Sequence, residues 1–370
     1  MKTSSSEQKK FMQLALKLAK KGKGQTSPNP MVGAVVVKNG QVIGQGYHRK
    51  AGRAHAEVVA LEQAGTAARG GSLYVTLEPC CHWGRTGPCV QKIVACGIKE
   101  VVLAMLDPNP LNNGRGAQFL RRHGIRVLSG VLEQEAGRLN VVFIKYITRR
   151  LPFVTVKVAQ SLDGKIATKT GDSRWISSIP TRNFAHRLRN QVDAILVGVN
   201  TIIKDDPLLS TRLNGCLHPH HPQKIIVDTR LRLPLEARIF STRSPAQVII
   251  ATTRFAPAKK VAYFQKKGVQ VIIAKEKGRR VDLVDLFKKL TQQEISHILV
   301  EGGGEIIASA LENRLVDRMI VVISSQIIGG RGAPTAVEGA GISRIKQALR
   351  LKELKLHRLG PDLMLEGRPS

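Results

Sequence analysis

The spacing of apolar and polar residues predicts an α/β unit in the first part of this 370-residue chain. Apolar residues recur at helical intervals over residues 7–21, and two runs with strand character, residues 32–38 and 41–47, follow. Asn39-Gly40 joins the two runs, and this dipeptide favours a tight hairpin. The later elements predicted in this part are helices near residues 55–64, 88–95 and 116–123, and strands at residues 72–77, 100–105 and 126–129.

The pattern changes after residues 140–152, a segment that carries Arg149-Arg150 and ends at Pro152, and we place the domain boundary there. From residue 153 onward, short apolar runs alternate with helical stretches, which is typical of a mostly parallel sheet covered by helices. Two α/β domains, residues 1–147 and 148–370, are therefore expected. The strands predicted in the second domain are residues 154–159, 194–199, 224–228, 248–251, 269–274, 298–301 and 319–323.

The composition is that of an ordinary globular protein, with 42% hydrophobic and 23% charged residues. No apolar run approaches the roughly 18 residues of a membrane-spanning helix, and the polar first residues lack the apolar stretch of a secretory signal. We therefore expect a cytoplasmic protein without a membrane partner. The formal net charge of +31 suits phosphorylated substrates or nucleic acid, but the basic residues are dispersed in pairs, which favours a solvated surface.

The five cysteines are unevenly distributed, since four of them lie between Cys80 and Cys96. In a cytoplasmic protein such a cluster indicates a metal or catalytic site rather than disulfides. His55, Cys80 and Cys89 offer one imidazole and two thiolates, a set of zinc ligands that leaves the fourth tetrahedral position for water, as in catalytic sites. Glu57 is then predicted to carry protons, because nucleobase deaminases combine a His-x-Glu motif with a later Pro-Cys motif.

Other interpretations remain open at this point. The two assigned cysteines are nine positions apart instead of three, and Cys81 and His82, which lie between them, are alternative ligands. A tRNA or DNA base deaminase would share the zinc chemistry and would use the positive charge. A non-catalytic binding protein would hold the same zinc for structural reasons.

Four segments resemble the bifunctional deaminase–reductase family of riboflavin biosynthesis. They are residues 29–35 (NPMVGAV), 44–48 (GQGYH), 55–57 (HAE) and 78–89 (EPCCHWGRTGPC), and the last contains the long insertion between cysteines that is particular to the family. The family usually has Thr-Pro-Pro-Cys where this chain has Thr-Gly-Pro-Cys, a difference that affects the loop more than the ligands.

The resemblance implies an N-terminal cytidine-deaminase-like α/β/α domain. It implies that Asn29 and His48 face the pyrimidine substrate, and that Arg85 and Thr86 contact its phosphoribosyl end. From the residues alone, Asn29 is equally well interpreted as a turn residue.

In the second half, polar turns follow the carboxyl ends of several predicted strands, where ligands gather in open α/β sheets. Gly302-Gly303-Gly304 lies between a strand and a helix, so the backbone N–H groups at the helix start can bind a phosphate. A plain tight turn explains these glycines equally well, and they do not form the usual dinucleotide-binding fingerprint. Lys157 lies on a strand that leads to the same cleft and is a candidate substrate contact.

These segments resemble the reductase half of the same family, so the resemblance covers nearly the whole chain. It implies a dihydrofolate-reductase-like α/β domain that uses NADPH. The implied cofactor-binding residues are Ala159, Trp175, Thr201, Asp205, Thr229, Gly303, Gly304, Glu305, Ile306, Ile307, Ala308 and Ser309. The implied substrate-binding residues are Ser173, Arg189, Leu209, Arg212 and Glu301. Taken singly, either arginine is better explained by a surface salt bridge.

The resemblance therefore implies two consecutive steps of riboflavin synthesis. The first is zinc-dependent deamination of 2,5-diamino-6-ribosylamino-4(3H)-pyrimidinone 5′-phosphate, and the second is NADPH-dependent reduction of 5-amino-6-(5-phosphoribosylamino)uracil to the ribityl product. Because both substrates are anions, they suit a basic protein without nucleic acid as a partner. We also expect a homo-oligomer.

Overall fold

A computed structural model describes residues 5–84, 87–241 and 246–370. The chain divides into two compact units, Met1–Leu151 and Pro152–Ser370. The division predicted between residues 147 and 148 falls inside a helix, Val141–Arg149, which the sequence pattern did not predict. Arg85 and Thr86 lie outside the described residues.

The first unit is a five-stranded sheet covered by helices. The strand order is β2-β1-β3-β4-β5, in which β1 is antiparallel to both neighbours and the remaining pairs are parallel. The elements predicted from the sequence are present, and their ends agree to within about two residues. The helices and strands are α1 (Ser5–Ala19), β1 (Gly33–Lys38), β2 (Gln41–Tyr47), α2 (Ala56–Ala64), β3 (Ser72–Val75), α3 (Cys89–Ala95), β4 (Glu100–Leu103), α4 (Arg115–Arg122), β5 (Arg126–Leu128), α5 (Glu133–Leu139) and α6 (Val141–Arg149).

Glycines let α1 and α2 lie directly on the antiparallel strands. A Cβ atom on Gly33 would lie 2.0 Å from the carbonyl oxygen of Ala15 in α1. One on Gly46 would lie 2.5 Å from the carbonyl oxygen of Ala56, the first residue of α2. These distances are too short for any side chain, so Gly33 allows α1 to lie close to β1, and Gly46 allows the beginning of α2 to lie close to β2.

The second unit contains a nine-stranded sheet of order β10-β9-β8-β7-β13-β6-β14-β16-β15. Its strands are parallel from β10 through β14, and β16 and β15 add an antiparallel edge. The elements are β6 (Phe153–Gln160), α7 (Ile179–Arg189), β7 (Ala194–Gly198), α8 (Val199–Asp205), β8 (Gln223–Val227), β9 (Val248–Thr252), α9 (Ala258–Lys266), β10 (Gln270–Ile273), β11 (Glu276–Lys277), β12 (Arg280–Val281), α10 (Leu283–Thr291), β13 (His297–Val300), α11 (Gly304–Glu312), β14 (Arg318–Ile323), β15 (Leu351–Leu359) and β16 (Asp362–Pro369).

The mostly parallel sheet predicted for the second half is confirmed. Two hairpins were not predicted, the short β11–β12 pair and the long β15–β16 pair at the carboxyl-terminal end of the chain. Parallel neighbours end at the same edge of a sheet, so the segments that follow β6, β7, β8 and β13 come together there. Within the described residues, no helix combines the length and the apolar content needed to cross a bilayer.

Candidate active sites

The amino-terminal end of α2 carries two of the predicted functional residues of the first unit. His55 immediately precedes the helix in extended conformation, and Glu57 lies in the first helical turn. The Glu57 side chain is buried, and burial raises the pKa of its carboxyl group to about 7. The close approach of α2 to β2 therefore places an imidazole and a buried carboxyl group side by side.

The two predicted cysteine ligands reach the same point from other elements. Cys80 follows β3, and Cys89 is the first residue of α3. The Nδ1 atom of His55 lies 3.2 Å from the Sγ atom of Cys89 and 3.6 Å from the Sγ atom of Cys80. The three ligand atoms all lie within 4.8 Å of one another.

This donor set fits zinc, because one imidazole and two thiolates at tetrahedral spacing are zinc ligands of the catalytic kind. Hydrogen bonds from the Cys89 thiol, from His55 and from the Cys89 backbone N–H favour the thiolate form of Cys80 and lower its pKa. Among the described residues, the cluster includes neither Cys81 nor His82. The structure therefore favours the ligand set assigned first over the two alternatives.

The two predicted substrate residues that the structure describes border the same cluster. The Nδ2 atom of Asn29 lies 3.2 Å from Nε2 of His48, and Nδ1 of His48 lies 3.2 Å from the carbonyl oxygen of Ala54. These contacts assign the His48 proton to Nδ1, which donates to Ala54, so that Nε2 accepts from Asn29. Burial lowers the pKa of His48, and its ring centroid lies 5.3 Å from that of His55.

The second unit has a cavity of about 520 Å³ at the carboxyl edge of its parallel strands. The amino-terminal end of α11 lines it without a capping side chain, and the start of a helix suits phosphate oxygens. Nine of the residues predicted to bind cofactor or substrate line this cavity: Ser173, Thr201, Asp205, Thr229, Gly303, Gly304, Glu305, Ile306 and Ser309.

The other residues predicted to bind cofactor are not among those that line the cavity. Ile307 and Ala308 are buried in α11 and belong to the hydrophobic core, which leaves them almost no exposed surface for a ligand. Ala159 is half-buried in β6. Trp175 is 64% exposed, and the guanidinium group of Arg182 lies 4.2 Å from the centre of its ring.

Among the predicted substrate residues of the second unit, Arg189 and Lys157 form a charged cluster with Glu301, whereas Leu209 is buried. The Arg189 guanidinium donates to Oε2 of Glu301 from Nη2 at 2.5 Å and from Nε at 2.9 Å. It also donates to the carbonyl oxygen of Ser210 at 3.1 Å. Burial lowers the pKa of Lys157, while the negative charge of Glu301 opposes that shift.

Sequence reasoning missed His186 in this cluster. Its Nδ1 atom accepts a hydrogen bond from the backbone N–H of Arg212 at 3.2 Å. Burial, Arg189 and Arg212 together lower its pKa to about 4, so the ring is neutral at pH 7. The available signal was the spacing of His186 and Arg189, which are three residues apart and therefore share one face of α7.

Sequence reasoning also missed four arginines that line the cavity, namely Arg230, Arg232, Arg279 and Arg280. The first two follow β8, and the other two lie in the β11–β12 hairpin. Arg280 is paired with Glu305 at 2.6 Å, and Arg232 donates to Asn200 at 2.8 Å. These four residues, called the arginine wall below, add positive charge to the lining of the cavity, and Glu305 offsets the charge of Arg280.

Comparison with known proteins matches each of the two units to a protein family. Residues 5–105 match the cytidine and deoxycytidylate deaminase zinc-binding region, and residues 152–365 match the RibD C-terminal domain. The chain belongs to the RibD family. The riboflavin biosynthesis protein RibD of Aquifex aeolicus (strain VF5) is 47% identical over 357 residues, which span 96% of this chain and 97% of that protein.

Solved RibD structures agree with the fold of the chain along nearly its whole length. Acinetobacter baumannii RibD, form 1, matches with a TM-score of 0.90 and 36% identity, covering 99% of this chain and 100% of that one. A Thermotoga maritima protein matches with a TM-score of 0.85 and 35% identity, covering 99% of both chains. That structure is described as a diaminohydroxyphosphoribosylaminopyrimidine deaminase/5-amino-6-(5-phosphoribosylamino)uracil reductase.

As a RibD family member, the protein is a bifunctional enzyme of riboflavin biosynthesis that combines a zinc-dependent deaminase with an NADPH-dependent reductase. The predictions of the family, the fold class, the enzyme class and the two cofactors are confirmed.

Proposed function

We propose that the first unit deaminates 2,5-diamino-6-ribosylamino-4(3H)-pyrimidinone 5′-phosphate and that the second unit reduces 5-amino-6-(5-phosphoribosylamino)uracil. The names of the two activities in the Thermotoga maritima relative support this choice of substrates. The observation that carries the proposal is the convergence of the ligand atoms of His55, Cys80 and Cys89 beside the buried Glu57.

In the proposed deaminase, His55, Cys80 and Cys89 hold the zinc ion. When bound, zinc lowers the pKa of a water molecule and so supplies hydroxide near neutral pH. Glu57 accepts one proton from the attacking water and delivers it to the ring nitrogen, and it then carries the second proton of that water to the departing exocyclic amine. The ring carbon gains the oxygen of water, its bond to the exocyclic nitrogen breaks, and ammonia leaves.

Asn29 and His48 orient the pyrimidine ring in this proposal. Their support is the hydrogen bond between them and the position of the His48 ring beside His55. Because His48 is held in one tautomer by Ala54, it presents a fixed pattern of donors and acceptors to the ring.

Replacement of Glu57 by glutamine tests the deaminase. We expect Glu57→Gln to slow ammonia release by about 10²–10⁴-fold, because the amide cannot carry the proton. Zinc content should not change, and NADPH oxidation should not change when 5-amino-6-(5-phosphoribosylamino)uracil is supplied directly. Glu62→Gln, an exposed position on the same helix, is the matched control. Deamination at the normal rate by a zinc-loaded Glu57→Gln enzyme would refute the assignment.

In the proposed reductase, the cavity beside α11 holds NADPH, and the cluster of Lys157, Arg189, Arg212 and Glu301 holds the phosphorylated sugar. When bound there, NADPH would supply the hydride that the sugar carbon bearing the nitrogen accepts. The bond from that carbon to the ring oxygen breaks, and the oxygen takes up a proton. The protein's contribution is to align the two reactants and to bind their charges.

We further propose that the arginine wall of the cavity, formed by Arg230, Arg232, Arg279 and Arg280, binds the 2′-phosphate that distinguishes NADPH from NADH. Guanidinium groups suit phosphate because they donate two hydrogen bonds in a fixed geometry. Arg174 is also close in the chain to the cavity residue Ser173, but it donates to the carbonyl oxygen of Asp205 and is not among the residues that line the cavity.

Affinity measurements with NADPH and with NADH test this proposal. For alanine replacements in the arginine wall, starting with Arg230→Ala and Arg232→Ala, we expect about tenfold weaker NADPH binding, which corresponds to one lost charged contact. The affinity for NADH should stay unchanged, and Arg174→Ala should behave like the unmodified enzyme. Equal losses for both cofactors would exclude a role in 2′-phosphate recognition.

We also propose that the enzyme is a cytoplasmic homo-oligomer. The edge strand β15 exposes Leu354 and Leu356, at 60% and 64%, on the same face. An identical edge from a second copy can pair with it about a two-fold axis. Leu356→Lys should lower the mass measured by light scattering, and an unchanged mass would exclude this interface.

The proposed cytoplasmic location is supported by the thiolate ligands, which favour a reducing compartment. Recovery of the native enzyme from an oxidising compartment would contradict this location.

A further inference from the structure

A buried glutamate ties the loop after β4 to the turn that carries Cys80. Glu78 is 3% exposed, and its carboxylate accepts three backbone hydrogen bonds. Oε2 accepts from the N–H groups of Asp107 at 3.0 Å and Gly114 at 2.9 Å, and Oε1 accepts from Ala117 at 2.9 Å. The side chain that precedes Pro79-Cys80 is thus fixed by backbone groups that lie about thirty residues or more further along the chain.

A fully buried amide, Asn112, holds the same turn from the other side. Its Nδ2 atom donates to the carbonyl oxygens of Glu78 at 3.4 Å and Pro79 at 3.3 Å. Its Oδ1 atom accepts from the backbone N–H of Cys81 at 3.0 Å. Asn112 therefore contacts the peptide groups on both sides of Cys80.

The network leaves the turn little room to move. Nδ2 of Asn112 also donates to Oδ2 of Asp107 at 3.2 Å, which links the amide to the loop. A Cβ atom on Gly116, in the first turn of α4, would lie 2.2 Å from the carbonyl oxygen of Pro79. The backbone of α4 is consequently packed directly against the residue before Cys80.

Cys80 in turn contacts the element that carries the second thiolate. Its carbonyl oxygen accepts from the N–H of Val90, and its Sγ atom accepts from the N–H of Cys89, both at 3.3 Å. A shift of the Pro79-Cys80 turn would therefore move one sulfur relative to both His55 and Cys89.

We infer that Glu78 and Asn112 are positioning residues of the zinc site, which hold the Cys80 sulfur at the distance from His55 and Cys89 that the ion requires. This inference rests on the proposed roles of His55, Cys80 and Cys89 as metal ligands. The match to the deaminase zinc-binding region ends at residue 105, before Asn112 and the groups that bind Glu78. A thiolate that is not held in place must be ordered when the ion binds, so loss of the network weakens zinc binding.

The test is zinc competition against a chelating indicator, measured on the full-length chain for Asn112→Ala. We expect zinc binding 10–100-fold weaker than in the unmodified enzyme, which is the usual effect of removing an outer partner of a metal ligand. Co²⁺ bound in place of zinc should show shifted visible absorption bands, because the sulfur geometry changes. Reductase activity, which belongs to the other unit, should remain unchanged and reports intact protein.

Asn113→Ala is the matched control, since Asn113 is the next residue and its side chain is exposed. It should bind zinc and Co²⁺ as the unmodified enzyme does. Glu78→Gln provides a second variant of the same shape, in which an amide NH₂ group replaces one accepting oxygen and opposes a backbone N–H. It should also bind zinc more weakly than the unmodified enzyme. If Asn112→Ala is insoluble, Glu78→Gln provides the test of the inference instead.

Unchanged zinc affinity and an unchanged Co²⁺ spectrum in Asn112→Ala, or in Glu78→Gln if only that variant is soluble, would overturn the inference. The network would then support only the fold. A wrong assignment of the zinc ligands would give a different result. If His55 were not a ligand, His55→Ala would leave the zinc affinity of the chain unaltered.

Discussion

Replacing Arg189 by methionine removes the partner of a buried carboxylate, and the cost of that change follows from the structure. The side chains of Arg189 and Glu301 are only 17% and 4% exposed, and two hydrogen bonds join them. Breaking such a pair by removing one member costs about 3–5 kcal/mol, because the remaining buried charge loses both hydrogen bonds and keeps only Lys157 as a nearby cation. For a unit of this size, the expected fall in melting temperature is about 6–20 °C.

Urea denaturation followed by circular dichroism measures this loss. Arg187→Met, an exposed position on the same helix, should change the free energy of unfolding by no more than about 0.5 kcal/mol. The double variant Arg189→Met with Glu301→Gln should be more stable than Arg189→Met alone, since the glutamine removes the uncompensated charge. Together with Glu301→Gln alone, these variants form a double-mutant cycle. We expect it to give an interaction free energy of about 0.5–3 kcal/mol between Arg189 and Glu301.

A loss below about 1 kcal/mol for Arg189→Met would refute this reasoning, because that is the value of a solvent-exposed ion pair. Absence of coupling in the double variant would refute it as well. In either case Glu301 would have to be hydrated in the folded protein.

Two further predictions concern packing and pH. Gly33→Ala should prevent α1 from packing on β1, since the new Cβ atom would lie 2.0 Å from the carbonyl oxygen of Ala15. We expect a loss of soluble protein that Gly137→Ala, which lies in α5 with open space around it, does not cause, and equal yields would contradict this. The pKa of His186 is about 4 in the folded protein, whereas the ordinary value for histidine is 6.5. Between pH 6.5 and pH 4, the unfolded chain therefore takes up a proton at this residue that the folded protein does not. Stability should therefore fall as the pH is lowered from 6.5 to 4, and fall less in His186→Gln; identical urea midpoints for both proteins at pH 7 and pH 5 would show that His186 does not contribute.

The sequence alone determined the local features of the molecule. Helical and strand periodicity placed the elements of the first unit from α1 to β5, and Asn39-Gly40 fixed its hairpin, because these features depend on neighbouring residues. The zinc ligands and Glu57 were also identifiable, since each lies in a short motif whose residue types are needed for the chemistry. The charged strand β15 and the helix α6 lacked a pattern that distinguished them from loop and linker.

Only the tertiary structure decided which distant residues meet. Asn112 and Cys80 are 32 positions apart, and nothing in the sequence near either residue indicates their contact through the turn. The arginine wall combines residues after β8 with a hairpin about fifty positions later, and the sheet order brings them to one edge. Such contacts depend on strand order and packing, which involve the whole chain, so local residue patterns do not specify them.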